Sequence, residues 1–248
     1  PNPTLDVSKV ISTLGVGEAM GGEGWMHQVV AFAKPFRMPD FFLLSGLFLS
    51  QTIDRDWRTY FDRKVIHFAY FYALWTIIQC GLKSGIVVFS SPSAFVEHYA
   101  HALISPYPTL WFLYVLPLFF VAAKLLRRLP VWALLGVGVV LNVVPMHTGW
   151  DAFDDYAATY FVFFLAGYLL APLAHAIAAW ARVHVWTALA GITFWGVLNG
   201  ALAFTPSGVA RFETLASLPL VSIVIGLIGA FAIVAIAALM DRFELAKI

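Results

Sequence analysis

The sequence predicts an all-α protein, a polytopic transmembrane helix bundle of about seven spans. Of its 248 residues, 61% are hydrophobic and only 12% charged, more apolar surface than a water-soluble domain can hide. Apolar runs recur at close to the ~20 residues that cross a hydrocarbon core. The Lys and Arg residues collect in alternate connections between those runs, the pattern of basic residues held on one side of a bilayer.

The runs place spans at 38–53, 66–82, 107–126, 130–146, 156–176, 184–204 and 215–240. FVFFLAGYLL, VWTALAGITFWGVLNGALAF and LVSIVIGLIGAFAIVAIAALM are the clearest, too uniformly apolar for amphipathic surface helices. Arg55, Arg58, Arg63 and Lys64, then Lys124, Arg127 and Arg128, then Arg182, and last Arg242 and Lys247 fall in connections assigned to the cytoplasm. The segments SSPSAFVEHYAHALISPYP, HTGWDAFDDY and TPSGVARFE, with Arg211 as their basic residue, fall outside. This places the protein in a bacterial inner membrane, with lipid as its first partner.

Residues 1–37 form an atypical N-terminal segment, because Asp6, Lys9, Glu18, Glu23 and many glycines make LDVSKVISTLGVGEAMGGEGW a poor span. No basic start, apolar core and small-residue cleavage site marks a signal peptide there. An altered or incomplete first helix is expected, followed by one membrane domain over 38–248. The formal charge of +1 and the scattered basic residues exclude a nucleic-acid stripe. Cys80 is the single cysteine, so no intrachain disulfide forms, and buried packing is its expected role.

Three segments could carry chemistry. In FRMPDFFLLSGLFLS, Arg37 and Asp40 stand at the mouth of the first span with Ser45 and Gly46 inside it. They form either an interfacial pair at a helix start, with Pro39 in its first turn, or the wall of a polar pocket. In RDWRTYFDRKVIHFAYFYALW, Arg58, Arg63 and Lys64 crowd one end of an aromatic span. They suit donor phosphates, or simple anchoring to anionic headgroups. In PYPTLWFLYVLPLFF, Tyr107 and Trp111 fit an interfacial aromatic belt, while Pro117 marks a kink that could open a cavity.

The histidines form no metal site. His98 and His101 beside Glu97 are expected as a hydrated loop pair, and Asp151, Asp154 and Asp155 as a solvated face. No P-loop, dinucleotide fingerprint or nucleophile elbow is present.

Taken in order, these three segments resemble the membrane-bound acyltransferase 3 family. Its pattern F-x-M-P-x-F-F-x-x-S-G is matched by Phe36, Met38, Pro39, Phe41, Phe42, Ser45 and Gly46. The Arg-rich turn is matched by Arg58, Arg63 and Lys64, and the W-F-L helix by Trp111, Phe112 and Leu113. The resemblance implies transfer of an acyl group from a cytoplasmic donor such as acyl-CoA to a hydroxyl of a carbohydrate or lipid-linked acceptor. No tightly bound cofactor is expected. It further implies Arg58, Arg63 and Lys64 at the donor, and Arg37, Asp40, Ser45 and Trp111 along the acceptor route.

The sequence departs from the family at one place. A histidine suited to act as general base belongs near the end of the family's first helix, about eleven positions after a basic residue. Counting eleven from Lys9 reaches Met20, and aligning on STLGVG puts Ile11 or Ser12 in the slot. The catalytic residue is therefore unassigned, and His27 does not inherit the role. The family's usual ten or so spans also exceed the seven expected here. A transporter or flippase-like protein, or an inactive remnant, is the alternative reading, though no inverted repeat supports transport.

Overall fold

Every expected apolar run is helical. The computed structural model describes residues 24–83, 92–107, 109–150 and 152–243. In chain order the helices are α1 (Trp25–Ser50), α2 (Trp57–Phe61), α3 (His67–Lys83), α4 (Pro92–Ile104), α5 (Trp111–Leu126), α6 (Val131–Val143), α7 (Ala158–Leu169), α8 (Ala171–Val183), α9 (Val185–Phe204) and α10 (Pro219–Arg242). A π-helical turn, Asp62–Ile66, joins α2 to α3, and another, Ala152–Ala157, leads into α7. Lys9, Ile11, Ser12, Met20, Asp151 and Lys247 lie outside the described residues.

Two of these helices, α9 and α10, are long and apolar enough to cross a membrane singly, and the bent pair α7–α8 makes a third if counted as one span. α5 and α6 are apolar but shorter, at 16 and 13 residues. The run at 156–176 is broken rather than straight. α8 turns away from α7 by 68°, with Pro172 in its first turn, where the missing N–H costs no intrahelical bond.

α1 starts well ahead of the expected Met38. It runs unbroken from Trp25 through Pro35 and Pro39 to Ser50. Charges at Lys34, Arg37 and Asp40 hide this length from a hydropathy reading. Two of those charges lie at the surface: Lys34 Nζ meets Glu213 Oε2 at 2.6 Å, and Arg37 is exposed.

The segment expected as an outer loop with a hydrated histidine pair contains α4, and His98 and His101 are exposed on it. Tyr72 in α3 anchors this helix by donating its hydroxyl proton to Ala102 O. The TPSGVARFE segment departs from the all-α expectation. It forms an antiparallel hairpin, β1 (Pro206–Val209) and β2 (Phe212–Thr214), with Pro206 opposite Thr214. Gly208, at φ +71°, supplies the left-handed residue where the register shifts between Pro206 and Val209.

α1 lies at the centre, packed most extensively on α7, then on α10 and α9, with α6 on the far side of α7. The main core joins Phe42 and Leu49 of α1 to Trp111, Phe119 and Phe120 of α5 and to Phe161 and Phe164 of α7. Small residues let α8, α9 and α10 approach closely at Ala181, Ala188, Ala235 and Ala238. The outward faces carry large apolar side chains, including Trp132, Trp186, Phe194 and Leu220. Such a surface belongs in lipid rather than water.

Candidate functional site

The conserved-looking spacing of FRMPDFFLLSG resolves into two faces of α1. On one face, Phe36 meets Gly229 and packs edge-on against Trp195, with ring centroids 4.9 Å apart. One turn on, Pro39 faces Gly226, whose missing side chain leaves room for it at 2.9 Å. Gly46 continues the helix onto the backbone of α7. Ser45 donates its hydroxyl proton back to Phe41 O at 2.9 Å, within the same helix.

Arg37 and Asp40, three residues apart, share a second side of α1, and Phe42, two residues on from Asp40, points away from both. Phe42 stacks on Tyr160 at 5.4 Å and lies 5.7 Å from Trp111. Trp111 in turn stacks on Tyr156 at 4.3 Å and on Tyr160 at 5.2 Å, which buries it. It stands in a built aromatic stack inside the protein, neither in a belt nor on an open wall. Arg37 lies within electrostatic reach of Tyr160.

Arg37 and Asp40 form no ion pair among the described residues. They sit in mid-helix, so the reading of a capping pair at a helix mouth gives way to polar groups set within α1. Asp40 Oδ1 is buried with no hydrogen-bond partner among the described residues. An orphaned carboxylate oxygen is a cost to the fold.

At the opposite, basic end, the structure separates the donor residues. Arg58 and Arg63 are exposed, whereas Lys64 turns inward with Nζ 4.8 Å from the Phe120 ring centre. Burial first, and the positive charge of Arg55 second, hold its ammonium below the ordinary lysine range. Arg63 lines a shallow groove of about 430 Å³ with Asp62, Ile66, His67 and Tyr70. Asp56 caps the helix that presents them by accepting from Thr59 N at 3.0 Å.

Sequence reasoning missed the residue that holds this end together. Lys124 is buried on α5, donates to Ile53 O at 2.9 Å and to Arg55 O, and lies 4.1 Å from the Tyr60 ring centre. Arg127 adds bonds to Ile53 O and Asp54 Oδ1 at 3.2 and 3.3 Å. The turn after α1 is thus clamped by a cationic helix end. Elsewhere, Arg182 pairs with Asp241 at 2.9 Å, joining two connections assigned to the same side. Cys80 is fully buried. Among the described residues, no three His, Cys, Asp or Glu side chains gather as a metal site would need.

A family model described as "Acyltransferase domain" matches residues 9–246. The chain is also similar to the "Inner membrane protein YcfT" of Escherichia coli (strain K12), 30% identical over 130 residues. That match covers 46% of this chain and 36% of the relative, so the chain corresponds to about a third of the curated protein's length. No solved structure matches. With its family match spanning nearly the whole sequence and its apolar outer faces placing it in a membrane, the chain belongs to the acyltransferase 3 family.

Proposed function

We propose that this chain is a multi-pass inner-membrane O-acyltransferase domain that takes an acyl group from acyl-CoA at its basic, cytoplasmic end. The acceptor is a hydroxyl of a carbohydrate or lipid-linked glycan reaching the bundle from the opposite side. On this reading the seven apolar segments all lie in the bilayer, with the short α5 and α6 fitted by local thinning of the bilayer and by snorkelling of flanking residues.

The observation that supports the donor assignment is the groove beside α2 and α3. Arg63 lines it, Arg58 is exposed one and a half turns earlier, and His67 and Tyr70 supply its far wall. Guanidinium forks match phosphate oxygens in pairs, and Tyr70 and Ile66 offer apolar surface for an adenine or a pantetheine arm. At the other end of the reaction, Asp40 Oδ1 is an unoccupied acceptor for a hydroxyl proton, and Arg37 stands one turn away.

The donor assignment is tested by an acyl-CoA binding isotherm on protein in nanodiscs. Arg63→Ala weakens binding by about tenfold or more, the size of one lost charge-assisted bond. An unchanged isotherm removes the donor from this groove.

A further inference from the structure

A second cavity, of about 420 Å³, opens at the hairpin end of the bundle between α6, the start of α7, the β-hairpin and α10. Its volume lies in the range of roughly 300–1,000 Å³ typical of small-molecule sites. Asn142, His147, Asp154, Thr159, Arg211, Ser217 and Ser222 supply its polar lining.

The groups already engaged define what is left for a ligand. Asp154 is occupied: its carboxylate accepts from Thr148 N at 2.8 Å, from Thr148 Oγ1 at 2.8 Å and from Gly149 N at 3.1 Å. Ser222 donates its proton to Pro219 O and Ser217 donates to Thr214 O, so both hydroxyls can face a ligand only as acceptors. Asn142 donates from Nδ2 to Thr159 O at 2.7 Å, while its Oδ1 is buried with no partner among the described residues.

The remaining charged group is Arg211. It sits at the tip of the hairpin, exposed, with its guanidinium 5.8 Å from the Phe212 ring centre and no ion-pair partner among the described residues. The nearby Glu213 is taken by Lys34. The cavity therefore offers several acceptors, the imidazole of His147 and one cationic fork. Its complement is a molecule with several hydroxyl donors and one anionic group.

We propose that this cavity binds a sugar carrying a carboxylate, with ring hydroxyls donating to Asn142 Oδ1 and the serine oxygens and Arg211 pairing with the carboxylate. The further assignment of that sugar as the acyl acceptor rests on the acyltransferase reading. The first turn of α7 connects the two places, since Thr159 lines the cavity while its neighbour Tyr160 stands against Arg37 and Trp111.

The test is titration of the whole chain, in phosphatidylcholine nanodiscs, with D-glucuronate and with D-glucose. Glucuronate binds at least ten times more tightly than glucose, and Arg211→Ala removes that preference. Asn142→Ala weakens both sugars. Binding of glucuronate no tighter than glucose, or a preference that survives Arg211→Ala, overturns the proposal. Arg211→Lys, which keeps the charge and loses the fork, checks that the Ala variant acts through the ligand, since it retains part of the preference. Doping the discs with a glucuronosyl diacylglycerol distinguishes sources: competition assigns a lipid-linked sugar, and its absence a free one. Binding without acyl transfer leaves this site standing and removes the enzymatic reading; transfer to sugars without binding here does the reverse.

Discussion

Gly46 of α1 and Gly167 of α7 each face the backbone of the other helix. A Cβ on Gly46 would fall inside the van der Waals envelope of Phe164 O, and one on Gly167 would do the same to Leu43 O. The two helices touch main chain to main chain, the closest approach that helices in lipid use in place of a hydrophobic driving force. Gly46→Ala or Gly167→Ala therefore forces α1 and α7 apart and costs about 1–3 kcal/mol, read as a lowered Tm in detergent. Gly191 and Gly196, on α9, have nothing within 4 Å of an added Cβ. Alanine there leaves Tm unchanged or raises it slightly.

Lys124 is the clamp for the turn that follows α1. Lys124→Met keeps the packing volume but removes the ammonium from Arg55 O and from Ile53 O, which keeps only its longer bond from Arg127. The expected loss is about 2 kcal/mol, from bonds to a charged group. Proteolysis at residues 51–56 becomes faster in the variant, while the α9–α10 region keeps its protection.

Asp40 separates stability from function. Its buried, unpartnered Oδ1 burdens the fold, so Asp40→Leu raises Tm or leaves it unchanged. The same substitution removes a hydrogen bond to the acceptor hydroxyl and slows acyl transfer by about tenfold, equivalent to ~1.4 kcal/mol. A variant that transfers acyl groups at the wild-type rate places the acceptor route elsewhere.

Asp154 gives the α6–α7 connection its response to acid. Burial pushes its carboxyl up, but the bonds from Thr148 and Gly149 and the nearby His147 outweigh this and hold it below the ordinary aspartate range. Because its folded-state pKa is depressed, its contribution is present above about pH 4 and is lost as the pH falls through the folded value. Amide exchange at Thr148 and Gly149 accelerates below pH 4 in the wild type. Asp154→Asn exchanges fast at both ends of that window.

The sequence revealed the helices better than their use. Uniform apolar runs located α9 and α10 to within a few residues, because nothing interrupts their hydropathy. α1 was shortened by thirteen residues in the reading because Lys34, Arg37 and Asp40 lower its apparent hydropathy, and the partner of Lys34, Glu213, is distant in sequence. The bend at Leu170 could be seen only as a proline after an apolar run. The motif from Phe36 to Gly46 was visible as a pattern, but its meaning depends on Gly226, Gly229 and Gly167, more than a hundred residues away. Separation along the chain also hid the stack of Trp111 on Tyr156 and Tyr160, and the orphaned oxygens of Asp40 and Asn142 are ones only a folded chain can leave without partners.

The most direct test of the central claim is thiol release from acetyl-CoA by the folded protein in nanodiscs, followed with and without an acceptor sugar. The account predicts release that depends on the acceptor, is matched by label in the sugar, and falls with Arg63→Ala and Asp40→Leu. Well-folded protein that binds acyl-CoA and sugar yet releases no thiol would contradict it.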